Sequence, residues 1–285
     1  MQTPDAPGAG PRQPTPAQLR SFALLSVIYA VITAAVLPWA NEAGPAEQNV
    51  VVVYGIGILV ADLCTAILLG ALYLGSGRAA LLVLACAYLY GALMAGAHMS
   101  TFAGALFPEP LFGNRQSVTW LFAAWRGGMA LFFLAAVIAA SRDKAPHRTR
   151  RGAWLSGSSA LAAAAAVALA FLVARRLPVM PLAEVLGMTA AIQWAALAVC
   201  AAAYVLVRRG RGAGDVLYLW LGLVLLASMA TLALDNLSAA TYTVGWYASR
   251  ANLVVSSCLL LAFLLGDLVQ EERLTPRTSM VAAYG

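Results

Sequence analysis

Asp62, Tyr88 and Arg126 are polar, chemically capable side chains inside three long apolar runs. A carboxyl, a phenol and a guanidinium can together bind a small polar or ionic ligand, or lock into an ion pair that only fixes packing. Thr65 lies one turn from Asp62 on the same helical face and adds a hydroxyl. A charge such as Arg126 at the centre of a bilayer costs about 2.5–3.5 kcal/mol on insertion scales, so it is normally paired, solvated or functional. The run leading into it, from His98 through Thr101, Phe102 and Trp120 to Trp125, is a loop rich in Gly, Pro and aromatics. His98 falls at the expected membrane boundary, as an interfacial hydrogen-bonding group or as a ligand or proton sensor. Trp120, Trp125, Trp246 and Tyr247 read as interface and packing aromatics. Asp235 with Arg250, and Glu109 with Arg115, bracket two loops as surface-like pairs worth little energy.

The elements that must position these groups are membrane spans. The chain has 285 residues, 62% of them hydrophobic and 11% charged, where a soluble domain carries about 25% charged residues. Eight apolar segments are long enough to cross a bilayer: 21–40, 50–74, 79–98, 117–140, 154–174, 187–207, 216–234 and 251–269. The expected fold is all-α, a polytopic bundle of about eight transmembrane helices over 21–270. Residues 1–20, with five prolines, are expected as a disordered tail, and 271–285 as a short tail carrying no output domain.

Charge placement sets the expected topology. With the N-terminus inside, thirteen of the 18 basic residues fall on the inner side. Only Arg115, Arg175, Arg176 and Arg250 fall outside, which satisfies the positive-inside rule with both termini cytoplasmic. The net charge of +6 is thus explained by topology rather than by a nucleic-acid partner. The elaborate loops, 99–116 and 235–250, are then on the outer side, where recognition is expected. In this arrangement Asp62 lies about 18 Å deep, Tyr88 about 15 Å and Arg126 about 13 Å, one layer of three consecutive helices.

Other chemistries find little support. Cys64, Cys86, Cys200 and Cys258 form no CxxC pair and read as small buried apolar residues. The only histidines, His98 and His147, fall on opposite sides of the membrane, so no cofactor is expected, and haem or metal at His98 is disfavoured.

Several motifs occur together in order. They are Asp62-Leu-Cys-Thr-Ala-Ile-Leu-Leu69, Ala87-Tyr-Leu-Tyr90, His98-x-x-Thr-Phe-x-Gly104, Leu111-Phe-Gly113, Gln116-Ser117, Trp120, Trp125-x-Gly-Gly128, Tyr242-Thr-Val-Gly-Trp-Tyr247, Arg250 and Ser256-Ser257. The set resembles the fourth type of bacterial membrane-associated sensor (MASE) domain over nearly the whole chain. That resemblance implies an N-terminal, non-catalytic input module in the bacterial inner membrane, normally attached to a diguanylate cyclase with a GGDEF signature or to a histidine kinase. The family pattern has histidine where Arg126 stands, proline where Ala130 stands, and TFPG where this chain has Ala103. A site built on two histidines would have lost one of them here, and become anion-binding or ion-paired.

About sixteen residues follow the last span, with no GGDEF-type loop or kinase core. The output is therefore expected from a separate cyclase or kinase chain, or from a longer parent protein. Membrane lipid, an unidentified small-molecule or ionic ligand and a second copy in a homodimer complete the expected partners. The alternative function is a small transporter or channel that uses the Asp62/Arg126 layer as its path.

Overall fold

The computed structural model describes residues 13–114, 116–142, 179–210, 215–238 and 240–274, together with 159, 163, 164, 166–168 and 170. Seven helices account for most of them: α1 Pro16–Val36, α2 Asn49–Ser76, α3 Ala79–Thr101, α4 Ser117–Arg142, α5 Leu182–Arg209, α6 Val216–Leu237 and α7 Val244–Leu274. All seven contain a stretch long and apolar enough to cross a membrane. In hydrocarbon every backbone N–H and C=O must be satisfied within the chain, and Ala-, Leu- and Val-rich runs do this as helices. The fifth expected span, 154–174, falls largely outside the described residues; those described within it are helical.

The helices form a closed ring. Each of α2 to α6 packs against the next described helix, and α7 returns to pack against α2. α1 stands outside the ring, where Phe22 and Tyr29 pack on Leu219, Leu223 and Ala227 of α6. Its remaining faces are open to lipid, as at Leu24, Val27 and Val31.

Local signals set the ends. Thr15 and Gln18 form a capping box ahead of α1, with Pro16 at its first position. Pro16–Arg20 is therefore helical, although it lies in the segment expected as a tail. α2 ends on Gly77 at φ 71°, a left-handed conformation that glycine adopts without steric cost. The expected outer loop 235–250 shrinks to 238–243, because its polar residues serve as caps. The Asn236 amide donates to the Leu232 carbonyl at 3.0 Å, and the Thr243 hydroxyl accepts from Trp246 N at 3.3 Å.

At this end the α1–α2 connection docks on the α6–α7 turn. Gly44 N donates to Tyr242 O at 2.7 Å, Val244 N to Glu42 O at 2.9 Å, and Gly245 N to Ala40 O at 3.0 Å. The Tyr247 hydroxyl donates to the Pro45 carbonyl. Gln116, ahead of α4, exchanges two hydrogen bonds with the Met180 backbone ahead of α5.

At the opposite end Asp215 caps α6 through Leu217 N at 3.1 Å and pairs with Arg78 Nη2 at 2.7 Å. Burial works against the Arg78 charge, but Asp215 and Tyr218 outweigh it and hold the guanidinium above its ordinary pKa. Asp215→Ala removes the cap and the ion pair together. It is expected to lower stability by about 1–2 kcal/mol, read from the thermal unfolding midpoint in nanodiscs, with Asp215→Asn recovering the cap alone.

Candidate functional site

The ring encloses a polar cavity. Asp62 of α2, Tyr88 of α3, Arg126 of α4, Ser228 of α6 and Ser256 and Ser257 of α7 line it, closed by the apolar walls of Trp125, Met129 and Leu253. The space open to water centres is about 10 Å³, near the lower limit for one water molecule. Asp62, Tyr88 and Arg126 are all buried. Each carries an atom with no hydrogen-bond partner among the described residues: Asp62 Oδ1, the Tyr88 hydroxyl and Arg126 Nε. Buried polar atoms are nearly always satisfied, directly or through water, and a space of this size suits one bridging water.

The expected contact ion pair is absent. Asp62 and Arg126 share the cavity without forming a salt bridge, and Arg126 reaches instead for the Ser228 carbonyl, at 3.5 Å. The cause lies in α3 and α7. Gly91 leaves room for Asp62 Oδ2 to lean against it, and Ser257 faces the same carboxyl. A Cβ on Gly91 would overlap that oxygen and lie 3.3 Å from Met129 Sδ. Gly91→Ala is therefore expected to cost about 1–3 kcal/mol through overpacking, measured as a drop in the unfolding midpoint. A second glycine acts alike, since Gly128 admits the Tyr90 ring, whose hydroxyl donates to Ala124 O at 2.8 Å.

A second polar cluster lies toward the looped end. The His98 ring sits among Tyr54, Phe102, Phe122 and Trp125, with Nε2 3.1 Å from the Tyr54 hydroxyl. Arg250 Nη1 meets Asp235 Oδ1 at 2.6 Å and the Ser249 hydroxyl at 2.8 Å. Its guanidinium carbon lies 4.2 Å from the Phe122 ring centroid, 5.0 Å from that of Trp246 and 5.7 Å from that of Tyr54. Asp235 also accepts from Ser249 Oγ at 2.6 Å. Trp125 belongs to both clusters, touching His98 and lining the cavity.

Several expectations are thereby corrected. Asp235 and Arg250 are a buried, aromatic-walled pair rather than a surface one, because α6 and α7 extend through the expected loop and carry both inward. His98, Trp125 and Trp246 are buried in the bundle as packing groups. Thr65 donates to Ala61 O at 2.8 Å, back-bonding its own helix, and does not line the cavity. Thr101 similarly closes the last turn of α3 through the Ala97 and His98 carbonyls. Trp120 is half-buried at the start of α4. Cys64 and Cys258 are exposed on outer helix faces, while Cys86 and Cys200 are buried. Arg115 and His147 lie outside the described residues, so the Glu109–Arg115 pair does too. Among the described residues no three His, Cys, Asp or Glu side chains gather as a metal-holding group.

The sequence reading missed Tyr54, Ser228 and Ser249 as members of these clusters. Ser256 and Ser257 entered only through the resemblance, although two adjacent hydroxyls inside an apolar span were a usable signal. Tyr54, one turn inside a run of valines, offered none.

The family model described as MASE4, membrane-associated sensor, integral membrane domain, matches residues 45–271. The chain belongs to the MASE4 family. The match starts in the turn before α2 and runs into the end of α7, so it contains the whole ring and both polar clusters and leaves out α1. No curated protein and no solved structure gives a significant match. The matched region thus contains both the small polar cavity of this chain's ring and the charged aromatic cluster toward its looped end.

Proposed function

We propose that this MASE4 domain is a non-catalytic input module of the bacterial inner membrane, receiving its cue through the looped end and passing it along α7. One observation carries the reading: α7 supplies groups to both polar clusters and continues unbroken to Leu274. Ligand entry, or a shift at the His98–Arg250 cluster, would repack Trp125 and change the surroundings of Ser256 and Ser257. The preponderance of Arg and Lys on the opposite end favours that end as cytoplasmic. A separate diguanylate cyclase or histidine kinase chain, or a homodimer fused to one, then reads the position of α7. Asp62, Tyr88 and Arg126 are the proposed sensing groups, for a small polar or ionic ligand that satisfies their orphan atoms. A ligand acts here only through its differential affinity for two arrangements of the ring.

Cysteine crosslinking at Asp267→Cys, in membranes exposed to a panel of small polar ligands and redox conditions, tests the relay. A ligand-dependent change that Arg126→His abolishes is the expected result. Invariant crosslinking across the panel counts against signalling through α7. Solute flux in proteoliposomes, lost in Asp62→Asn, would replace the reading with transport.

A further inference from the structure

The connection between α3 and α4 carries an apolar surface that neither polar cluster uses. Its tip reads Leu106-Phe-Pro-Glu-Pro-Leu-Phe112, two Leu-Phe pairs placed symmetrically about Glu109 and its flanking prolines. The four apolar side chains are 43% to 49% exposed, although they belong to a loop and not to a spanning face. Clustered exposure of this kind marks a surface that meets another apolar phase.

The loop is held in place. Leu111 N returns to Ser100 O at 3.0 Å, tying the far side of the tip to the last turn of α3. Gly104 N donates to Phe107 O at 2.8 Å. Gly104 is at φ 80°, pressed against the Gln48 side chain just ahead of α2. The loop therefore rests beside the first turns of α2, whose Val53 and Ile56 are outward-facing and exposed. Its exposed Leu and Phe side chains thus belong to a loop tethered at the start of an apolar spanning helix. No Lys or Arg occurs from Phe102 to Asn114, and the single acid sits at the apex.

We propose that the Leu106–Phe112 tip is a lipid-inserted wedge, its two Leu-Phe pairs lying in the boundary between headgroups and acyl chains while Glu109 stays on the aqueous side. The occupant of this surface is the bilayer itself. Its tether beside the first turn of α2 sets it at the end of that span, and the mix of Leu and Phe without cations suits the interface. The wedge is coupled to the bundle through Ser100 and through Phe102, whose ring lies 6.0 Å from that of His98. Lipid packing around the tip would thus bear on the same cluster as a ligand, giving the domain a bilayer-dependent input.

The test measures immersion depth and needs no ligand, so it stands apart from the sensor reading. Single cysteines at Leu106, Phe107, Leu111, Phe112 and Glu109 are introduced in a full-length Cys64→Ser/Cys258→Ser background, spin-labelled and placed in nanodiscs. Collision rates with oxygen, which partitions into lipid, are compared with those of a water-soluble nickel chelate. Oxygen collisions exceeding nickel collisions several-fold at the four apolar positions, reversing at Glu109→Cys, are expected. Nickel dominance at every position would put the loop in water and overturn the proposal. So would low collision rates with both reagents, whether from burial within the chain or, with dipolar broadening between labels, from contact with a second copy.

Discussion

Arg250→Ala will lower the stability of the bundle by about 3–5 kcal/mol, the cost typical of breaking a buried ion pair from one side. The guanidinium is buried and bonded to Asp235 and Ser249. Its flat face is covered by Phe122, Trp246 and Tyr54, so the substitution also removes cation–π contacts worth about 0.5–2 kcal/mol in such surroundings. Most of the loss comes from what remains. Asp235 would lose its ion-pair partner, in a place where its Oδ2 already has no hydrogen-bond partner among the described residues. A double substitution, Asp235→Leu with Arg250→Met, removes both charges and is expected to regain most of the stability. The measurement is the unfolding midpoint of each variant in nanodiscs. A loss below about 1 kcal/mol for Arg250→Ala would mean the pair behaves as an exposed one.

Arg126 is expected to behave in the opposite way. It is as deeply buried, yet its only side-chain hydrogen bond among the described residues is a 3.5 Å contact to Ser228 O. A charge held so poorly opposes folding more than it supports it. Replacing two buried polar groups by apolar or neutral ones of similar volume is commonly close to neutral or stabilising. Arg126→Met combined with Asp62→Asn should therefore raise or preserve the unfolding midpoint while removing the ligand-dependent crosslinking at Asp267→Cys. Retained stability with lost response would assign Arg126 to sensing. Destabilisation by more than about 3 kcal/mol would assign it to the framework.

The convergence of Asp62, Tyr88 and Arg126 was legible because a helix advances by a constant rise per residue. Counting from the ends of three adjacent spans was enough to place them in one layer. Their mutual orientation was not legible. In a membrane bundle the lipid-facing and inward-facing sides of a helix are both apolar, so the pattern that reveals the buried face of a soluble helix is nearly flat. Cys64 and Cys258 illustrate this, read as buried yet facing outward. The missing Asp62–Arg126 contact has the same origin. It depends on Gly91 yielding space to one carboxylate oxygen, a packing detail between α2 and α3 that spacing does not encode. The loop 235–250 was misjudged for another reason. Asn236 and Thr243 look like loop residues, but each caps or extends a helix and brings Asp235 and Arg250 inward.

The closure of the ring between α2 and α7 has a consequence for biosynthesis. Ribosomes deliver helices in chain order, so α2 and α4 reach the bilayer before α6 and α7 have been made. Gly91 and Tyr88 arrive early enough to shelter Asp62, but Ser257 and the Ser228 carbonyl do not. Until α7 docks Asp62 lacks Ser257, and until α6 docks Arg126 lacks its Ser228 acceptor, so both polar groups pass this interval less sheltered than in the finished ring. The half-made ring is thus the species in which these polar groups are least sheltered, and the docking of α7 against α2 completes their surroundings.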